Sequence, residues 1–378
     1  MKFIHLSDLH LGKRVNEYSM IEDQEYVLNR IIEIIEEESP CRVIIAGDVY
    51  DKSVPSAEAV QLFDGFLTRL AEMGVETFVI SGNHDSPERM SFGSRLMSSS
   101  GIHISGVYDG EVTPITLKDE YGELDLYMLP FVKPANVRRY SDEEIESYTD
   151  AVRVAISRMN ADTSKRCVLV THQFVTGAVR SESEEISVGG TDNVDVSVFD
   201  GFDYVALGHI HSAQNCTSER VRYSGTPLKY SFSEAKDKKS VTVAELCEKG
   251  SLSVRTVPLV PLRDMVELRG CYQDLMRKDF YEGTTYRNDY THITLTDEED
   301  IVDAIGRMRS VYHGLMRLDY DNARTRGAKD IDGALEVETK SPIELFSDLY
   351  EMQNNQPMSE EQRELVTELI CEIWEDEK

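Results

Sequence analysis

The sequence predicts an α/β fold, and three observations carry that prediction. Short apolar runs alternate with helical patterns over the first 230 residues, polar motifs rich in His and Asp follow several of those runs, and the texture changes after residue 258. Strands are expected at 3–6, 42–46, 75–80, 126–131, 168–171 and 204–207, each a short run rich in Val, Ile and Leu. In 19–38, Met20, Val27, Ile31, Ile34 and Ile35 keep near-helical spacing. Residues 56–73 repeat the device with Val60, Phe63, Phe66, Leu67 and Leu70, and Gly74 supplies a stop.

Past that region, PLVPL sets Pro258 and Pro261 three residues apart, which disfavours continuing a helix or a ladder and marks a hinge. Domains are therefore expected at 1–258, 263–340 and 341–378. The second holds strand-like runs at 264–268 and 291–295 with helices near 272–277 and 300–313, a small α+β unit. The third reads as two amphipathic helices in which Leu365, Leu369 and Ile373 or Trp374 mark an apolar face. Its eleven acidic and two basic side chains make the opposite face acidic, while the spaced apolar positions imply burial against something.

Composition bounds the function. The 378 residues are 40% hydrophobic and 29% charged, enough for a core without disulfide staples. Six scattered cysteines form no CxxC pair and are expected to be reduced. No apolar run reaches bilayer length, and the start MKFIHLSDLH has no signal-peptide character, so a cytoplasmic protein with no membrane partner is expected. Forty Lys and Arg against sixty-nine Asp and Glu give a net charge of −29, which opposes non-specific attraction to a polyanion. Local basic clusters, including 133–139 and 229–239, run against that balance.

Five motifs carry the chemistry: Asp8-Leu9-His10, Gly47-Asp48-Val49-Tyr50-Asp51, Gly82-Asn83-His84-Asp85, Thr171-His172 and Gly208-His209-Ile210-His211. Each alone is weak. Together they sit where loops at strand C-termini of an α/β sheet converge. Asp8, Asp48, Asn83, His10, His172, His209 and His211 form a mixed oxygen and nitrogen donor set that suits Mn, Fe or Zn better than Ca or Mg, and the absence of a thiolate argues against a closed structural zinc site. Seven donors are too many for one ion with an open position, and suit two ions about 3.5–4 Å apart that share a carboxylate. Phosphoester hydrolysis is the reaction such a pair fits best. His5 is read as a structural histidine on an apolar strand.

This ordered set resembles the calcineurin-like metallophosphoesterases. The stretches THQFV, VGGTDNVDVSVFDGFDYVALGHIH and SGTPLKYSFSEAKDKKSV resemble, more narrowly, the nuclease subunits of bacterial SbcCD complexes, relatives of the archaeal and eukaryotic break-repair nucleases. The resemblance implies a β-sandwich flanked by helices, with a small capping domain that guides DNA and C-terminal helices. It implies that Asp8, His10 and His211 hold one metal, Asn83, His172 and His209 the other, with Asp48 bridging and His84 beside the scissile phosphate. Asp51 and Asp85 are left to orient histidines through their non-ligating nitrogens. Lys13, Arg14 and Arg89 are the candidates for phosphate contact by proximity to the motifs.

The implied activity is exonuclease cleavage of double-stranded DNA ends and endonuclease cleavage of single strands and hairpins, in repair, replication and recombination. Two divalent ions are implied, manganese preferred, with magnesium or another divalent metal as substitutes. ATP dependence comes through an SbcC-type ATPase docked by the C-terminal helices, since this chain has no GxxxxGK[ST] loop. A homodimer within a heterotetramer is implied too, with 56–73 and 89–98 as candidate contacts, the latter bearing Phe92 and Leu96. Two alternatives stand beside this reading: a phosphomonoesterase or phosphodiesterase of the same superfamily acting on small substrates, and a non-catalytic scaffold for an ATPase.

Overall fold

The computed structural model describes residues 1–39, 41–181, 184, 192–323 and 325, with 343, 346, 347, 350, 358, 359, 362, 363, 365–367 and 369 beyond them. Most of the segment expected to form two C-terminal helices lies outside the described residues.

The first three apolar runs become parallel strands, β1 (Lys2–Leu6), β2 (Arg42–Ala46) and β3 (Thr77–Ile80), and β4 (Ile102–Ser105), which no apolar run announced, pairs parallel to β3. The chain then builds a second sheet from β5 (Ile115–Asp119), β6 (Gly122–Leu129), β7 (Arg166–His172), β8 (Tyr204–Gly208), β9 (Gln214–Cys216) and β10 (Ser218–Tyr223). It returns to the first sheet as an antiparallel hairpin of β11 (Ser240–Leu246) and β12 (Leu252–Pro258). The strand orders are β12-β11-β1-β2-β3-β4 and β9-β10-β8-β7-β6-β5.

Three apolar layers hold the sandwich. Phe3, Ile44, Phe78 and Ile80 of the first sheet meet Leu124, Leu126, Val168, Val170 and Tyr204 of the second. The outer face of the first sheet is covered by α1 (Ile21–Glu38) and α2 (Ala57–Glu72), which bury Val27, Ile31, Ile35, Phe63, Phe66 and Leu70. Each such side chain removed from water is worth about 1.5–3 kcal/mol. The outer face of the second is covered by α3 (Tyr148–Arg158). Ser56 caps α2 by accepting from the Ala59 N–H, and Gly74 ends it at φ +67°, the role its position in the sequence predicts. His5 is structural: its ring bridges the Tyr204 hydroxyl (2.8 Å) and the Leu207 carbonyl (3.2 Å), fully buried.

Register decides where the motifs emerge. Leu6 lies opposite Ile45, Ala46 opposite Ile80, and Gly208 opposite His172, so five strand ends finish level on one edge of the sandwich. Strands Met265–Gly270, Tyr290–Leu295 and Gly314–Tyr320 form a three-stranded sheet with Tyr290–Leu295 in the middle. By compactness the chain divides into 1–267 with 285–292 and 312–317, and a smaller unit of 268–284, 293–311 and 318–378. In the smaller unit the expected helix at 300–313 is confined to Ala304–Arg309, because Asp303 adopts a left-handed φ of +53°. The expected helix at 272–277 gives way to two single turns, Tyr272–Leu275 and Lys278–Tyr281. Among the described residues no helix is long and apolar enough to cross a membrane, and Cys41, Cys167, Cys216, Cys247 and Cys271 form no disulfide.

Candidate metal centre

At the edge where the strands end, the backbone is forced. Asp8 (φ 54°), His10 (45°), Asp48 (48°) and His209 (103°) all lie in the left-handed region, at a cost of about 1–3 kcal/mol each for non-glycine residues. Hydrogen bonds between motifs hold them there. The Asp8 N–H donates to the Gly47 carbonyl and the His10 N–H to the Asp48 carbonyl, both at 3.0 Å, and the His209 N–H donates to the Asp8 carboxylate at 3.1 Å.

Gly82 and Gly208 are required for room rather than for turning. A Cβ on Gly208 would stand 1.9 Å from the Ala46 carbonyl oxygen and 2.6 Å from His172 Nδ1. One on Gly82 would stand 2.1 Å from Asp48 Oδ1.

The side chains converge in two groups. In the first, Asp8, His10 and His211 present ligand atoms within 4.8 Å of one another, with His10 Nε2 and His211 Nε2 3.1 Å apart. In the second, Asn83 Oδ1 lies 3.0 Å from His172 Nε2 and 2.9 Å from His209 Nδ1. Asp48 lies between: its Oδ2 is 3.3 Å from His172 Nε2 and 3.8 Å from His10 Nε2. His84 stands alongside, its N–H donating to Asp48 Oδ1 at 2.9 Å, its Nε2 3.9 Å from Asp48 Oδ2, and its ring edge-on to His10.

Carbonyl partners fix the imidazole tautomers. A carbonyl oxygen only accepts, so His172 Nδ1 carries the hydrogen it gives to Ala46 (2.8 Å), and His84 Nδ1 the one it gives to Asp51 (3.0 Å). Their Nε2 atoms are left facing the site. Burial would push the Asp48 carboxyl up, but the imidazoles of His172, His10 and His84 hold it well below the usual range. Burial pushes His10 well down and His209 down to about 3.

The donor set fits divalent cations. Burial would push the His172 imidazole down, but the Asp48 and Asp8 carboxylates raise it to about 9, so without a cation a proton on Nε2 answers the Asn83 and Asp48 oxygens, the place a divalent cation would take. Oxygen and nitrogen donors with no thiolate suit Mn-type or Zn-type ions in a site that keeps open positions.

Comparison with known proteins agrees. The calcineurin-like phosphoesterase family matches residues 1–213. The SbcD chain of the SbcCD nuclease of Staphylococcus epidermidis is 30% identical over 385 aligned positions, covering all of both chains. The chain belongs to the SbcD nucleases. The SbcD chain of Staphylococcus saprophyticus is 33% identical over 323 positions, 84% of each chain. Residues 261–354 of this SbcD family member match the Type 5 capsule protein repressor C-terminal domain. A solved structure characterised as a novel archaeal phosphodiesterase aligns with 68% of this chain and 100% of its own, at 13% identity and a TM-score of 0.31.

Within this SbcD fold, several expected contacts resolve differently. Asp85 orients no histidine. Its carboxylate accepts the Val49, Tyr50 and Gly82 N–H groups at 3.1, 2.9 and 2.9 Å, tying the Asp48 loop to the Asn83 loop. Asp51 orients His84 through its carbonyl, while its carboxylate pairs with Lys13 at 2.7 Å and lies 3.7 Å from His10 Nδ1. Arg14 bonds the Glu17 carbonyl, and exposed Arg89 bonds the Ser53 carbonyl at 2.8 Å. In the 229–239 cluster, Lys229 pairs with Asp264 and Lys239 is buried against Glu234, so neither is a free surface cation. The sequence reading missed three residues. Gln24 clasps the first motif by donating to the His10 carbonyl (2.8 Å) and accepting from Gly12 N–H (3.0 Å). Glu184 accepts the His211 N–H at 2.6 Å, and Glu234 faces His211 Nδ1 at 3.8 Å.

Proposed function

We propose that this chain hydrolyses DNA phosphodiesters as the nuclease subunit of an SbcCD-type complex. The observation that carries the reading is Asp48 Oδ2 set between two clusters, Asp8-His10-His211 and Asn83-His172-His209. The first cluster would hold one divalent cation and the second another, with Asp48 shared and manganese preferred over magnesium. Two cations so placed supply an activated water and neutralise charge on the phosphate.

The side chains do the rest. His84, its Nδ1–H fixed on the Asp51 carbonyl, turns Nε2 to the site. When protonated there it hands that proton to the leaving oxygen as the P–O bond breaks. Lys13, Arg14 and Arg89 border the motif loops and attract the DNA backbone locally, against the overall charge of −29.

Exonuclease action on duplex ends, endonuclease action on single strands and hairpins, and ATP dependence through an SbcC-type partner belong to this proposal. So do docking by 341–378, a capping role for 263–340, the nuclease bounds 1–258, a homodimer and a cytoplasmic location. Phe92 and Leu96, 84% and 80% exposed, support a partner surface near 89–98.

The test is hydrolysis of a linear duplex with Mn2+ by the chain together with its ATPase partner. Asp48→Asn should abolish activity, and His84→Gln should lower it by about 10²–10⁴-fold with the cations still bound. Fast turnover of a simple aryl phosphate with none of the duplex would overturn the reading in favour of a small-substrate phosphoesterase.

A further inference from the structure

The segment SGTPLKYSFSEAKDKKSV carries a motif that the cation clusters do not absorb, and it folds back on His211. Glu234 is fully buried, its Oε2 2.5 Å from Lys239 Nζ and 3.5 Å from the Thr226 hydroxyl, its Oε1 3.8 Å from His211 Nδ1. Lys239 also donates to the Thr226 hydroxyl (2.8 Å) and to the His211 carbonyl (2.9 Å), which accepts the Thr226 N–H as well (3.0 Å). From the other side Glu184 takes the His211 N–H. The peptide of His211 is thus gripped at both ends, and its ring lies between Glu234 at Nδ1 and His10 at Nε2.

Resting on the two-cation reading, we propose that Glu234 is a positioning residue for His211: its carboxylate holds the Nδ1–H tautomer and turns the Nε2 lone pair to the Asp8-His10-His211 cluster. A neutral imidazole has one lone pair, so the nitrogen that binds a cation is set by what accepts from the other. For His172 that acceptor is the neutral Ala46 carbonyl at 2.8 Å, whereas the group that faces His211 Nδ1, at 3.8 Å, is a carboxylate, which would make the opposite nitrogen a stronger donor. Lys239 keeps the carboxylate ionised and fixed in a buried place where an unpaired charge would be costly. The influence of Glu234 therefore falls on one cluster of the two.

Calorimetric titration of the full chain with Mn2+ alone tests this. Glu234→Gln keeps the volume and an acceptor for Lys239 but removes the charge. One Mn2+ step should weaken by about 10–100-fold while the other stays within about twofold. Equal weakening of both steps, or of neither, overturns the proposal. A second measurement uses the metal-free wild-type chain, so it stands even if the variant fails to fold. In nitrogen-15 spectra of labelled histidines in alkaline buffer, His211, assigned by its loss in His211→Asn, should be protonated on Nδ1, and protonation on Nε2 overturns the proposal. Wild-type protein that takes up no Mn2+ would instead defeat the two-cation reading, with the tautomer still deciding the role of Glu234.

Discussion

Gly208→Ala isolates the packing reason for the glycine of the last motif. The new Cβ would meet the Ala46 carbonyl oxygen at 1.9 Å and His172 Nδ1 at 2.6 Å, where an unstrained contact needs 3.4 Å or more. Neither neighbour can swing away, since one is backbone in the centre of the first sheet and the other is the imidazole bonded to that same carbonyl. Overpacking of this kind costs about 1–3 kcal/mol, and losing the His172 to Ala46 hydrogen bond adds about 1 kcal/mol. A total near 3 kcal/mol corresponds to a fall in Tm of about 6–12 °C for a domain of this size. The assay is thermal unfolding by circular dichroism, with Gly65→Ala as control. Gly65 lies in α2 with nothing within 4 Å of its added Cβ, so the same substitution there should stabilise by about 0.5–1 kcal/mol. If Gly208→Ala melts with the wild type, the claim that this glycine exists to let the sheets close is wrong.

Other outcomes follow from buried charge. Burial drives the His5 imidazole from 6.5 down to about 3, so between those values the unfolded chain binds the proton and the folded one does not. The stability that this contributes is complete above pH 6.5 and is lost as the pH falls, by about 2 kcal/mol near pH 5. His5→Gln should flatten that part of the pH profile in chemical denaturation; an unchanged slope would assign it elsewhere. Arg166, 4% exposed, holds Asp119 and the Gly122 and Cys247 carbonyls, and keeps the Asp119 carboxyl well below the usual range. Arg166→Ala should cost about 3–5 kcal/mol, read from the denaturation midpoint, and a loss under about 1 kcal/mol would show the cluster to be dispensable. Gln24→Ala releases the His10 carbonyl and the Gly12 N–H together and should weaken Mn2+ binding at the Asp8 cluster while α1 stays folded by far-ultraviolet dichroism. Unaltered Mn2+ affinity would limit Gln24 to a structural clasp.

Legibility in the sequence followed burial on both faces. β2 is read to the residue because, after Arg42, VIIA is continuously apolar between two packed layers. β12 (LSVRTVP) and β10 (SERVRY) escaped notice because their exposed positions mix charge into the run. IHIS of β4 was too short and too polar at the sheet edge to stand out. The seven metal-type donors were legible because their residue types are costly to place at strand ends without a function. Gln24, Glu184 and Glu234 were not, since each is a single polar residue in a polar stretch whose meaning comes from being buried against a motif distant in sequence. Asp51 orients a histidine as expected, though with its carbonyl, while Asp85 does not, for a related reason: spacing placed both beside the histidines, but whether a carboxylate meets a ring or a row of backbone N–H groups depends on loop geometry.

The shared carboxylate is tested most directly by anomalous diffraction at the manganese edge from crystals grown with Mn2+. Two peaks flanking Asp48 Oδ2, one against Asp8, His10 and His211 and one against Asn83, His172 and His209, are the predicted result. A single peak away from Asp48, or no peak among these side chains, would contradict the account.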